Sequence, residues 1–134
     1  MDSWAGIPKE HLGEYWPHVF EMIAGACGRS GGRMTPELIF NDLKSGNMQL
    51  WVAHSNKVIT ACFVTQIIEY PFGSRCKLII GAGNGRHQWQ HHVKVLEAWA
   101  KAKGCRGMES IARKGWARIF KDWKQTHVFL EKEL

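Results

Sequence analysis

The sequence has no apolar run long enough for a membrane-spanning helix, which needs about 18 consecutive apolar residues. The first ten residues also lack a basic stretch followed by an apolar one, which is the pattern of a secretory signal peptide. We therefore expect a protein that does not cross a membrane and is not secreted.

Patterns typical of disulfide frames and metal sites are absent as well. The four cysteines are Cys27, Cys62, Cys76 and Cys105. Each lies in or beside an apolar segment and none forms a C-x-x-C pair, which favours reduced, buried thiols, with two disulfide bridges as the alternative. Because a buried thiol stays protonated, we do not expect Cys76 or Cys105 to act as a nucleophile. His87 and His91 are four residues apart on a predicted helix, but without an H-E-x-x-H motif or a third ligand we expect no metal site.

Positive charge is concentrated in one part of the chain. The net charge of the 134 residues is +6: residues 86–125 carry +7 and the remainder −1. A basic half suits an anionic ligand, a nucleic acid or an acidic protein partner, although a solvated surface has the same composition. Trp116 and Trp123 lie among these basic residues, where they could stack on nucleic-acid bases. Their helical spacing is more typical of packing onto a sheet.

Helical patterns occupy most of the first 46 residues. Apolar residues recur with helical spacing over residues 14–26, and Pro17 fits the first turn of that helix. After a glycine-rich loop, Thr35 and Pro36 form a helix start, and this second helix is predicted to end near Gly46.

The rest of the chain predicts a mixed sheet flanked by helices. The predicted elements are strands at 48–53, 58–70 and 75 to 80 or 81, a helix at 87–103, a strand at 106–111, a helix at 113–123 and a strand at 126–131. The first three strands are joined by short turns and should form an antiparallel meander. The fourth follows a crossover helix and should lie parallel to the third. We expect one α/β domain spanning residues 1–134.

Glycines at 81, 83 and 85 separate the third strand from the long helix. Such a turn can hold a phosphate, because unpaired N–H groups and the positive end of the helix dipole point at one spot. Glycine also lets a ligand approach the backbone closely. The alternative is that the three glycines only turn the strand into the helix.

The order of these elements resembles that of the GNAT family of N-acetyltransferases over nearly the whole chain. Residues 96–105 are similar to the central helix of that family and its glycine turn, and residues 117–123 and 126–134 to its last helix and closing strand. Four shorter pieces are similar to small GNAT-like proteins of tailed bacteriophages: Leu50-Trp-Val, Ile67-Ile-Glu-Tyr-Pro71, Trp99-Ala and residues 113–118.

The resemblance implies a GNAT-like fold that holds acetyl-CoA between two splayed parallel strands. The loop that binds the pyrophosphate in the family reads Q/R-x-x-G-x-G/A, and this chain matches its glycines but has isoleucine at the first position. The implied coenzyme-binding residues are Ile80, Gly81, Gly83, Asn84, Gly85 and Arg86.

The resemblance also bears on catalysis. The family often places a tyrosine in the last helix to protonate the departing thiolate, and the corresponding residue here is Phe120, which has no proton to give. Glu109 and Glu69 are the candidates for a general base that deprotonates the acceptor amine. Either could equally be a surface carboxylate.

Three functions follow from these expectations. The first is an acetyl-CoA-dependent N-acetyltransferase acting on an amine, in the host cytoplasm. The second is a non-catalytic, phage-encoded structural or virion-associated protein that binds another protein through its basic, tryptophan-rich surface. The third is a nucleic-acid-binding accessory protein. Fold resemblance alone does not decide among them.

Overall fold

The computed structural model describes residues 2–134, except for the side chains of residues 2, 3 and 87. The strands are β1 (Asp2–Ile7), β2 (Gln49–Ser55), β3 (Val58–Tyr70), β4 (Gly73–Gly83) and β5 (Gly107–Glu109). The helices are α1 (Leu12–Gly28), α2 (Pro36–Ser45), α3 (Arg86–Ala102) and α4 (Trp116–Ile119), with a 3-10 turn at Lys9–His11. No helix in the described part of the chain is long and apolar enough to cross a membrane.

The five strands form one mixed sheet in the order β1-β2-β3-β4-β5. The first four are antiparallel to their neighbours, which confirms the predicted meander, and β5 runs parallel to β4 as expected. β1 was not predicted. It pairs with β2 from Asp2 opposite Ser55 to Ile7 opposite Leu50 and so extends the sheet at its outer edge.

The two N-terminal helices follow from their apolar faces and, in α2, also from its capping residues. In α2 the hydroxyl of Thr35 accepts a hydrogen bond from the Leu38 amide at 3.2 Å, and Gly46 ends the helix with φ +88°, as predicted. Helix α1 begins earlier than predicted, because its apolar face already includes the buried Leu12. Pro17 is therefore inside the helix rather than in its first turn, and that prediction was wrong.

The glycine-rich segment is not the loop that the sequence suggested. Strand β4 continues through Gly81, Ala82 and Gly83, which pair with residues 61–63 of β3. The strand runs on because β3, with 13 residues against 11 in β4, offers pairing partners as far as Gly83. Only residues 84 and 85 separate β4 from α3.

Regular structure is shorter than predicted after α3. Strand β5 covers three residues rather than the predicted 106–111, and α4 covers four rather than 113–123. No strand forms over residues 126–131. The short β5 offers few backbone groups for another strand to pair with, so the alternating apolar side chains of this segment stay exposed, among them Val128 and Leu130.

The core consists of two layers, one on each face of the sheet. Helices α1 and α2 cover one face, with buried residues that include Val19, Ile23, Ile39, Val52, Cys62, Val64 and Ile80. Helices α3 and α4 cover the other, with Trp51, Phe63, Leu78, Trp89, Val93, Leu96 and Phe120. Alternation along each strand sends successive side chains to opposite layers.

Candidate functional site

The parallel strands β4 and β5 pair only at one end and then separate. Their register covers Arg75 opposite Gly107 through Lys77 opposite Glu109. Beyond this point β4 continues for six residues while the chain after Glu109 leaves the sheet. The last link between the two segments is the Ser110 hydroxyl, which donates to the Leu78 carbonyl oxygen at 2.8 Å. The sheet therefore opens on the side of β4 that leads to α3.

A β-bulge in β4 lies at the mouth of this opening. Val64 pairs with Ile80 but Thr65 pairs with Leu78, so Ile79 is the extra residue. A bulge interrupts the ladder and redirects the backbone groups on either side, and bulges are common next to active sites. This one also reverses the alternation, so that Leu78 and Ile80 point to opposite layers of the core.

A cleft of about 1080 Å³ lies beside the paired ends of β4 and β5. Its floor comes from the paired ends of β4 and β5, and its walls come from α4 and from residues 122–129 of the C-terminal segment. Lys77 and Glu109 line the cleft, as do Trp116 and Phe120. A volume of this order is typical of small-molecule and cofactor sites.

Glu109 is hydrogen-bonded within the cleft. The hydroxyl of Tyr70 donates to Oε2 of Glu109 at 2.6 Å. This hydrogen bond raises the pKa of Tyr70, with smaller contributions from desolvation and from the charge of Glu109, while Arg75 opposes the shift. The phenol therefore stays protonated and holds one carboxylate oxygen in place. No sequence motif indicates Tyr70 as a site residue, and its one signal is its place at the end of β3, the strand that borders β4.

Glu69 is not brought to the cleft. It is exposed, pairs with Ser74 near the hairpin turn and does not line the cavity. Because successive side chains alternate along a strand, Glu69 points to the face opposite Tyr70. Of the two candidate bases, only Glu109 faces the cleft.

Two of the three glycines are explained by the close approach of neighbouring side chains and backbone, without a ligand. A Cβ atom on Gly81 would overlap the indole ring of Trp116 and lie 2.9 Å from Cε1 of Phe63. Gly83 has φ +115°, and a Cβ atom there would overlap the carbonyl oxygen of Thr60. Both glycines thus have a packing role, and the interpretation of the three glycines as a phosphate-binding segment stays a prediction.

The start of α3 retains features of an anion site. Gly85 has φ +75° with open space around its Cα, no side chain caps the helix, and its first turn contains no acidic residue. Arg86 is exposed, with its guanidinium 5.8 Å from the centre of the Trp89 ring. The amide of Asn84 is already engaged, since it donates to the Thr60 carbonyl oxygen at 2.9 Å.

The two departures from the family motif are both buried. Ile80 is 3% exposed and belongs to the core layer under α1, so only its backbone could contact a ligand. Phe120 is also 3% exposed and packs between Trp116 and Trp123, with ring centres 5.3 and 5.2 Å away. Aromatic packing thus occupies the position where the family often has its acid.

The thiols and histidines show no sign of further chemistry in the described part of the chain. All four cysteines are free, and burial raises the pKa of both Cys62 and Cys76 to about 12, which keeps these thiols protonated. No group of three potential ligands that could hold a metal ion occurs among the residues described. The side chain of His87, half of the predicted histidine pair, lies outside them.

The tryptophans of the basic surface pack inward as expected. Trp116 lies 5.5 Å from Trp89, and the Nε1 atom of Trp123 donates to Glu97 at 3.1 Å. The cations around them are exposed: Arg113, Lys114, Arg118, Lys121 and Lys124.

Comparison with known proteins supports the fold. The sequence matches no protein-family model and no curated protein at a significant level. Among solved structures, the chain is similar to an aminoglycoside acetyltransferase from an uncultured soil metagenomic sample, in complex with sisomicin, with TM-score 0.73 and 13% identity over 99% of this chain and 96% of that one. A predicted acetyltransferase with acetyl-CoA from Clostridium acetobutylicum gives TM-score 0.70 and 15% identity over 99% and 96%.

A third similar structure is a ribosomal-protein-alanine N-acetyltransferase from Brucella melitensis biovar Abortus 2308, with TM-score 0.64 and 12% identity over 98% of this chain and 100% of that one. Such low identities show the fold alone, and the resemblance to bacteriophage proteins stays a prediction. The chain has the fold of the GNAT acetyltransferases, a five-stranded mixed sheet flanked by helices.

Proposed function

We propose that this protein is an N-acetyltransferase that binds acetyl-CoA between β4 and β5 and transfers the acetyl group to an amine. The observation that carries the proposal is the separation of the two strands directly after Lys77 and Glu109, beside a cleft of about 1080 Å³. The acetyl-CoA in the Clostridium structure and the acetyltransferase names of the other similar structures support the choice of coenzyme.

The residues available for the coenzyme are mostly backbone. Between residues 78 and 83 one edge of β4 has no strand partner in the described structure, and the uncapped start of α3 with Gly85 and Arg86 suits the pyrophosphate. The exposed side chain of Asn84 lies beside this position. The coenzyme supplies an activated acyl group, so positioning alone contributes much of the rate enhancement.

Glu109 is the proposed general base. Tyr70 holds one of its oxygens, which leaves the other to accept a proton from the amine as the nitrogen attacks the thioester carbonyl carbon. The new C–N bond forms, the C–S bond breaks, and the thiolate takes up a proton. Phe120 cannot supply that proton, so water does.

Thermal melting tests the binding step. Acetyl-CoA at a hundred times its dissociation constant should stabilise the fold by about 2.7 kcal/mol, which corresponds to several degrees of melting temperature. Loss of thioester absorbance in the presence of an amine then measures transfer. Glu109→Gln should keep the melting shift and lose most of the turnover, whereas the control Glu69→Gln should keep both. No melting shift at millimolar acetyl-CoA would refute the proposal.

A second candidate is a non-catalytic protein that binds an acidic partner, as the predicted phage structural role requires. It is favoured by the buried Phe120 and by the five exposed cations that flank Trp116 and Trp123. This candidate function predicts that acetyl-CoA does not change the melting temperature. It also predicts that the protein captures an acidic protein, and that neutral substitutions at Arg118 and Lys121 abolish this capture.

A further inference from the structure

The acidic side chains that line the cleft have bonding partners, whereas the basic ones form no salt bridge in the described part of the chain. Its three carboxylates each have a partner: Glu109 accepts from Tyr70 at 2.6 Å, Glu97 accepts from Trp123 at 3.1 Å, and Asp122 lies 3.9 Å from Lys94. Its four cations are Arg75, Lys77, Arg113 and Lys124. None of these four forms a salt bridge within the part of the chain that the structure describes.

Two of these cations flank the proposed base. Lys77 is the register partner of Glu109, and Arg75 is the partner of Gly107. By strand alternation, all four residues face the same side of the sheet. Gly107 has no side chain to block Arg75, whose Nη1 lies 2.7 Å from where a Cβ atom would be. The guanidinium therefore extends across β5, next to the position that an acceptor amine must occupy.

The phosphates of the coenzyme do not account for Arg75 and Lys77. Gly83 follows Lys77 by six positions in β4, which is about 20 Å of extended strand. The start of α3, where the pyrophosphate is placed, follows the far end of that strand. The two cations thus lie in the cleft, at the paired end of β4 and away from the proposed pyrophosphate position.

We propose that the acceptor amine carries an anionic group, a carboxylate or a phosphate, that binds Arg75 and Lys77 while its nitrogen lies at Glu109. This inference rests on the proposed acetyltransferase function and specifies its substrate class. Both cations can donate charge-assisted hydrogen bonds to such an oxyanion, and the guanidinium can do so with two parallel bonds. A polycationic acceptor such as sisomicin would instead meet like charge.

Four small amines of similar size test the proposal: β-alanine, phosphoethanolamine, ethanolamine and ethylenediamine. With rates referred to the deprotonated amine, kcat/KM for the better of the two anionic amines should exceed that for ethanolamine about tenfold, which is ~1.4 kcal/mol. The two anionic amines together distinguish a carboxylate site from a phosphate site. Ethylenediamine should be the poorest substrate, and the preference should shrink as salt is added.

Matched variants distinguish an effect of Arg75 and Lys77 at the site from an effect of the protein's net charge. Arg75→Gln/Lys77→Gln should lower kcat/KM for the preferred anionic amine about tenfold and leave ethanolamine within about twofold. The control Lys44→Gln/Lys101→Gln removes the same charge from exposed positions outside the cleft and should change neither. Equal use of charged and neutral amines, or an equal loss for all amines in the double variant, would overturn the proposal.

A binding measurement decides the case in which no amine is turned over. The four amines are titrated into the protein with and without acetyl-CoA while the backbone amide resonances of Lys77 and Glu109 are followed by NMR. The anionic amines should shift these resonances at lower concentrations than ethanolamine, and no such difference would overturn the proposal. Failure of the coenzyme proposal is recognised separately, by the absence of a melting shift with acetyl-CoA.

Discussion

Replacing Gly81 by alanine should destabilise the fold, and Trp116 should be the reason. The added Cβ atom would overlap the indole ring of Trp116 and lie 2.9 Å from Cε1 of Phe63, which is 0% exposed and cannot move aside freely. If Gly81 instead served a bound phosphate, the same substitution would weaken coenzyme binding without a loss of stability. One residue therefore distinguishes the two interpretations of the glycine pattern.

The expected magnitude comes from two opposing terms. Overpacking of a filled core costs about 1–3 kcal/mol. Gly81 does not have a positive φ, so alanine gains about 0.4–1 kcal/mol from the lower entropy of the unfolded chain. The net loss should be about 1–2 kcal/mol, or roughly 4–8 °C of melting temperature for a chain of this size.

A double-mutant cycle with Trp116→Leu isolates the contact. With the indole removed, Gly81→Ala should be neutral or slightly stabilising, which gives a coupling energy of about 2 kcal/mol. Urea unfolding followed by circular dichroism measures all four proteins without relying on tryptophan fluorescence. An equal cost of Gly81→Ala in both backgrounds would show that Trp116 is not the obstacle and refute the packing argument.

Three further predictions concern titration and the C-terminal segment. Glu109→Gln should lower the pKa of Tyr70 toward its ordinary value of 10.0, because the hydrogen bond from the phenol to a carboxylate raises it; ultraviolet difference titration, with Tyr70→Phe to assign the transition, measures this. Burial raises the pKa of Cys62 and Cys76 from 9.0 to about 12, so the stability they confer is present below pH 9 and is lost as the pH rises toward 12. The unfolding free energy should thus fall by about 3 kcal/mol between pH 8 and pH 10. In Cys62→Ala, where only one of the two thiols remains, this fall should be half as large. Arg33→Ala should cost no more than about 1 kcal/mol but speed proteolysis after residue 125, since it removes an exposed ion pair and a cation–π contact with that segment.

Elements with local signals could be predicted from the sequence. The hydroxyl of Thr35, the ring of Pro36 and the left-handed Gly46 act within a few residues of the helix ends that they define. The long alternating pattern of residues 58–70 likewise predicts β3 with the bounds that the structure shows. In both cases the residues that determine the element lie inside it.

Elements that depend on distant contacts could not be predicted. Position 81 needs a glycine because the indole of Trp116, 35 residues later, packs against its backbone, and no local pattern records that contact. The pair of Tyr70 and Glu109 joins two strands through a register that the sequence does not state. The exposed residues 126–131 show the converse: an alternating pattern forms no strand when the neighbouring β5 has only three residues to pair with.

The proposed coenzyme site is built from backbone groups. This explains how the chain can share a fold with the acetyltransferases while its sequence differs from theirs. The separation of β4 and β5, the bulge at Ile79 and the uncapped start of α3 all present backbone groups, and none requires a particular side chain. The fold is shared with similar structures at identities of 10–16%, and a site of the proposed kind needs only the geometry of the strands to be kept. The proposed acceptor site is different, since it depends on the side chains of Arg75, Lys77 and Glu109. Substitutions there should change which amine is used while leaving the response to acetyl-CoA intact, and a variant that lost both together would argue against separate coenzyme and acceptor sites.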